Sequence, residues 1–243
     1  MAETIKIVSR RFQILPVGFL LQLAGLSYGQ GNFQNLDFES PLLPLVHLGG
    51  NFDFVAASNA VPSWDVYLGT NQQNSVLYNN WFLGTSVVGL LGPDWTNSFP
   101  ARIAGSYTVT LQAGVFPGVG QTIVSASIAQ SHLVPVSALS LQLRMQPFSA
   151  GQLAVSLDGQ EIPMFALSVT PRYTLYGGDV SAFAGSAREL RIASIPTASF
   201  AFSNLAIDSI AFSDLPAPEP GILTLFGLGV LFLGTQVLKR SRP

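Results

Sequence analysis

Between Asn32 and Ser213 apolar and polar residues alternate in short runs, and no segment keeps a helical period beyond two turns. In SYTVTLQAG (106–114), Tyr107, Val109 and Leu111 alternate with Ser106, Thr108, Thr110 and Gln112. In ALSLQLRMQ (138–146), Leu139, Leu141, Leu143 and Met145 alternate with polar partners. A period of two sends successive side chains to opposite sheet faces, so both runs predict strands. FQNLDFES (33–40) and SWDVYLG (63–69) predict two early strands, and RELRIAS (188–194) and LAIDSIAFS (205–213) two late ones. QTIVSASIAQ (121–130) follows a turn at Pro117-Gly118. In QLAVSL-DG-QEIPMFAL (152–167), Asp158-Gly159 suits a two-residue type I′ turn, which needs positive φ. Pro163 cannot donate to a ladder and predicts an edge or a bulge. The Asn- and Gln-rich stretch 58–84 reads as long loops. Gly177-Gly178 predict a tight turn, with Asp179 capping a short helical turn after it. Short strands joined by polar turns predict an all-β sandwich or jelly roll over 30–214.

The two ends break this pattern. Residues 1–11 carry Lys6, Arg10 and Arg11, and the next 15 residues are mostly apolar. Small residues follow at Ser27 and Gly29, so 1–29 reads as a signal peptide cleaved after Gly29. Residues 215–220 form a Pro-rich linker. The run 221–238 has no charge, and as a helix it would span about 27 Å, enough to cross a bilayer core. Lys239, Arg240 and Arg242, in the basic end 239–243, would stay on the cytoplasmic side.

Composition narrows the function classes. Charged residues are only 10% of the 243-residue chain, against about 25% in typical soluble proteins. Between Gly31 and Leu215 there are five arginines, no lysine and eleven carboxylates, hence a net charge of −6. An acidic body without a basic stripe argues against nucleic acid as a partner. The absence of cysteine excludes disulfides, thiolate metal sites and a cysteine nucleophile. The chain has two histidines, His47 and His132, and no nucleophile-elbow or paired-histidine motif. The expectation is therefore a non-enzymatic protein, with a small polysaccharide hydrolase as an alternative.

Pro218-Glu219-Pro220, an apolar helix and a short basic end together resemble a PEP-CTERM sorting signal. That resemblance implies export by the general secretion machinery and processing by an exosortase. It also implies a Gram-negative host, membrane insertion before tail removal, and a final place at the cell surface or in the exopolysaccharide matrix. A second resemblance runs through NLDFES, VPSWDVY, GSYTVTLQ, SLQLRM, AVSLDGQEIP and AIDSIAF. These pieces are similar to a galactose-binding-like jelly roll, a fold frequent among carbohydrate-binding modules, and imply association with extracellular polysaccharide, with a carbohydrate-binding module that has a defined glycan site as an alternative.

Two candidate sites follow. In galactose-binding-like modules a calcium ion often ties the first strand to the last. Carried onto this chain, the resemblance makes Asp37, Glu39 and Asp208 the candidate ligands of a structural Ca2+, the one cofactor it implies. Asp37 and Glu39 stand two apart, so on a strand they would share one face, with Phe38 turned to the core. For glycan binding, aromatic rings and amide side chains are the needed parts. Tyr78, Asn80 and Trp81 are the candidates within the 70–82 cluster, Trp95 lies outside it, and Trp64 reads as core. Arg144, Arg172, Arg188 and Arg191 read as partners for the acidic surplus.

Overall fold

The fold was obtained as a computed structural model, which describes residues 32–49, 52–81, 85–116, 122–147, 152–197 and 202–217. The signal segment, Pro218, Glu219, Pro220, the apolar run 221–238 and the basic end lie outside the described residues. Among the described residues no helix is long and apolar enough to cross a membrane.

The chain begins with an irregular segment and then forms β1 (His47–Gly49), β2 (Phe54–Ala56) and one helical turn, α1 (Ala57–Ala60). A hairpin of β3 (Asp65–Leu68) and β4 (Asn71–Gln73) leads to β5 (Ser75–Tyr78) and β6 (Val87–Leu91). Next come β7 (Thr108–Val115), β8 (Ile123–Val124), β9 (Ala126–Leu133) and β10 (Ser140–Pro147). The remaining strands are β11 (Gln152–Leu157), β12 (Gln160–Glu161), β13 (Phe165–Val169), β14 (Thr174–Asp179), β15 (Ala187–Ile195) and β16 (Ser203–Ser213). One sheet has the order β1-β2-β5-β6-β7-β16-β10-β14-β13, with β8 paired to β7. The other has the order β12-β11-β15-β9-β3-β4. All pairs within the two sheets are antiparallel except β5 with β6.

The two inner faces meet in one apolar core. Leu141, Leu143 and Met145 of β10, Val109 and Leu111 of β7, and Leu205 and Ile207 of β16 supply the large sheet. Val66, Ile128, Leu157, Leu190 and Ile192 supply the small one. Burying each such side chain is worth about 1.5–3 kcal/mol, and this cysteine-free chain has no disulfide to add. The architecture is thus an all-β sandwich, as the alternation predicts.

Several predicted elements differ. FQNLDFES forms no strand: Asn35 and Phe38 adopt positive φ, at 50° and 59°. The Asn35 side chain accepts from Ser40 N and donates to the distant Pro62 O, so side-chain bonds replace a ladder. Phe38 is nonetheless fully buried against Trp64, as the core assignment of both rings requires. The stretch 58–84 is not long loops, since it contains β3, β4 and β5. Gly177-Gly178 make no turn and lie inside β14. Their missing side chains leave room for Leu167 and Met164, which pack where a Cβ would stand. Asp179 does accept from Ser181 N, at 2.8 Å, at the start of the 3-10 turn Ser181–Phe183. Asp158 and Gly159 both have positive φ, as the I′ hairpin demands. β12 is an edge strand that stops before Pro163, after which the chain crosses to the large sheet.

Candidate functional site

The segment from Gly92 to Tyr107 joins β6 to β7 and lies against the outer face of the large sheet. Period two explains the placement: Leu143 and Met145 enter the core, so Gln146 points the other way. Gln146 Oε1 accepts from Ala101 N at 3.0 Å, and its Nε2 donates to Arg172 O at 2.8 Å. One amide thus clamps the long loop to the turn between β13 and β14. That turn is closed by Thr170, whose hydroxyl donates to Tyr173 O at 2.7 Å. Trp95 Nε1 donates to Pro100 O at 2.7 Å, which fixes the indole within its own loop.

Two carboxylates hold the end of the loop. Asp208 Oδ2 accepts from Ala104 N at 3.1 Å and from the Thr108 hydroxyl at 2.7 Å, and Oδ1 accepts from Ser209 Oγ at 3.1 Å. Asp208 is 1% exposed. Burial pushes its carboxyl up to about 6, and the donated hydrogen bonds only partly offset that rise. Glu39 Oε1 accepts from Ser106 N at 2.8 Å and Tyr107 N at 2.9 Å.

The calcium expectation changes accordingly. Among the described residues no group of three or more His, Asp or Glu side chains gathers as a metal centre. Asp37 is not on a strand face beside Glu39; it sits in a turn where its Oδ1 accepts from Glu39 N. The oxygens of Glu39 and Asp208 already accept from N–H and O–H donors, and two carboxylates so engaged fall short of the six to eight oxygens that calcium takes. In this arrangement the two carboxylates act as loop anchors. Gly105 lies between them at φ 53°, and a Cβ there would overlap the Glu39 carboxylate. Gly105→Ala is therefore expected to cost about 1–2 kcal/mol in backbone strain alone. It should also be non-additive with Glu39→Ala in a double-mutant cycle read by denaturant melts, because both changes break one contact.

Loop and sheet enclose a cleft of about 610 Å3, within the range of about 300–1,000 Å3 typical of ligand pockets. Trp95 supplies a partly exposed ring at its wall; Thr96, Asn97 and Ser98 add two hydroxyls and an amide, and Gln146, Arg102 and Arg172 complete its polar lining. Arg102 Nη1 donates to Ser106 O at 3.2 Å, so that side chain lies along the loop.

The predicted glycan residues lie elsewhere. Tyr78 packs against the core and edge-on to His47, and its hydroxyl meets Gly92. Burial first, then Tyr107 and Asp94, hold that hydroxyl above its ordinary pKa. Asn80 Oδ1 is engaged by Trp81 N at 2.8 Å. None of the three lines the cleft beside Trp95. Gln72 and Gln73, from the same cluster, line a second groove of about 420 Å3 with Trp64. Trp64 is only 5% exposed, and its Nε1 donates to Asn35 O, so this groove offers no free ring face. The cleft residues missed in the sequence were Thr96, Asn97, Ser98, Arg102 and Gln146. The usable signal was Trp95 followed by three small polar residues.

His47 is exposed and bonded to Asp53 at 2.6 Å. Arg188 pairs with Asp158 and Arg191 with Glu189, as expected of the acidic surplus. Arg144 instead lies over the Tyr173 ring, and Arg172 faces the cleft.

No family model and no curated protein sequence matches the chain. Among solved structures, it is similar to TmCBM61, a family 61 carbohydrate-binding module in complex with β-1,4-galactotriose. That match has 11% identity and a TM-score of 0.44, and covers 75% of this chain and 97% of that one. A second is the cleaved adhesin domain of Lys-gingipain from Porphyromonas gingivalis, at 10% identity and a TM-score of 0.39, covering 68% and 98%. A third is a family 27 carbohydrate-binding module from Caldicellulosiruptor saccharolyticus in complex with mannohexaose, at 11% identity and a TM-score of 0.33, covering 70% and 100%. Likeness at this level brings no ligand with it.

Proposed function

We propose that the sandwich is a non-catalytic glycan-binding domain and that the cleft beside Trp95 is its site. The observation that carries this reading is the lining itself: one ring, two hydroxyls, two amides and two guanidinium groups around an open cleft. A sugar presents apolar C–H faces for a ring and hydroxyls for amides and guanidinium groups. The lining contains no carboxylate, while most glycoside hydrolases use a pair of them. We further propose, on the two end segments alone, that the chain is exported, processed by an exosortase at Pro218-Glu219-Pro220, and retained at the surface or in exopolysaccharide of a Gram-negative cell.

The test is a glycan array followed by calorimetric titration, using the full chain in mild detergent. Trp95→Ala should weaken binding of any captured oligosaccharide by about tenfold or more. Trp95→Phe, which keeps a ring but loses the bond to Pro100 O, should retain most of it. Full affinity in Trp95→Ala, or an array without any captured glycan, would dismiss the reading. Intact mass of the protein from its own host tests the sorting proposal: a mature chain from near Gln30 to near Pro-Glu-Pro supports it, and a retained tail refutes it.

A further inference from the structure

The body contains five arginines in a region of net charge −6. Arg188 and Arg191 are each committed to a carboxylate, and Arg191 also lies over the Tyr67 ring at 4.3 Å. Arg144 lies over Tyr173 at 5.0 Å. Arg102 and Arg172 form no ion pair among the described residues, and both line a cleft whose lining holds no Asp or Glu. In a protein with a surplus of acids, two of the three arginines without an ion pair among the described residues thus share one cleft.

The acids nearest this place are accounted for. Asp208 and Glu39 lie behind the backbone of 104–107 and are engaged by its N–H groups. Asp94 is outside the lining, and its field falls on Tyr78 and Tyr107. The main chain that carries both arginines is fixed, because Gln146 bonds Ala101 N, beside Arg102, and Arg172 O. A guanidinium offers a planar fork of donors that matches carboxylate and sulfate oxygens two at a time. A neutral sugar would leave that match unused.

We propose that the cleft selects acidic oligosaccharides, with a carboxylate or sulfate ester on the sugar paired to Arg102 and Arg172. This rests on the glycan-binding reading above. The surrounding acidic surface repels a polyanion at long range, so attraction is confined to the cleft and to about two ion pairs. Binding should therefore weaken with salt, but far less steeply than for a basic polyanion-binding surface.

The experiment titrates the full chain in mild detergent with three probes of equal length: oligogalacturonate, a sulfated galacto-oligosaccharide and a neutral β-1,4-galacto-oligosaccharide. One acidic probe should bind about tenfold tighter than the neutral one, with the margin shrinking at about 0.5 M salt. The favoured acidic probe tells carboxylate from sulfate. Arg172→Gln should erase the margin, with acidic binding falling far more than neutral binding, and leave the melting temperature unchanged, since its guanidinium is exposed and has no partner among the described residues. Arg102→Gln should do the same to the margin but lower the melting temperature, because its Nη1 braces the loop. Equal binding of acidic and neutral probes, or a margin that survives in Arg172→Gln, overturns the inference while leaving glycan binding standing. No binding of any probe overturns both.

Discussion

Replacing Phe38 with alanine is expected to destabilise the sandwich by about 3–5 kcal/mol, the range for deleting a buried aromatic ring. Phe38 is 0% exposed, and its ring centroid lies 5.9 Å from that of Trp64. Its neighbours cannot close the gap easily. The segment is held at Asn35 by Trp64 Nε1 and at Gln34 by a reciprocal pair of bonds with the Gln130 side chain. It is also bonded to the last strand through Ile210 N and Leu36 O. A cavity would therefore remain, and cavity volume adds to the lost transfer free energy. Thermal melts should drop by about 6–20 °C at this chain length. Phe38→Leu, which keeps most of the volume, should lose less than half as much. Equal losses in the two variants would show that the aromatic contact with Trp64, rather than the buried volume, carries the effect.

Asp208 gives the second large effect, and its sign depends on pH. The folded carboxyl is raised from 3.8 to about 6 by burial. Between those values the folded state binds a proton that the unfolded state has released, so stability falls as pH rises through the window. The shift corresponds to about 3 kcal/mol, lost once the pH is above about 7. Asp208→Asn stays neutral and can still accept from Ala104 N and Thr108. It should flatten the pH dependence between about 4 and 7 and match or exceed the parent at pH 7.5. Asp208→Ala removes the acceptor for both donors and should cost about 2–4 kcal/mol even at pH 5. Denaturant melts across pH, in EDTA and in millimolar calcium, check this. A loss in Asp208→Asn confined to calcium-containing buffer would overturn the loop-anchor role and restore a metal role for Glu39 and Asp208.

The alternation in 106–114 and 138–146 was enough to place β7 and β10, because a period of two is a local property that survives into the folded sheet. Leu139 lies just before β10 and is exposed, which shows how little periodicity says about where a strand begins. Asp158-Gly159 was legible for the same local reason: the turn type demands positive φ at both positions. FQNLDFES misled, because the Asn35 side chain supplies hydrogen bonds that a strand would have made. Stretch 58–84 misled because polar composition was read as loop, while β4 is an edge strand with exposed amides.

The candidate site was hardly legible. Aromatics and amides cluster in sequence at 70–82, yet Tyr78 there packs on the core. The cleft instead draws Trp95, Gln146 and Arg172 from three separate segments. An all-β class, the acidic and cysteine-free character of the body and the burial of Trp64 were legible in the residues alone. Each follows from composition or from a short-range pattern. Which arginines lack a carboxylate partner, and that Glu39 and Asp208 anchor one loop, became visible in the folded chain. Both depend on which strands become neighbours, and that is set by packing between distant segments, such as Ala104 and Asp208, 104 residues apart.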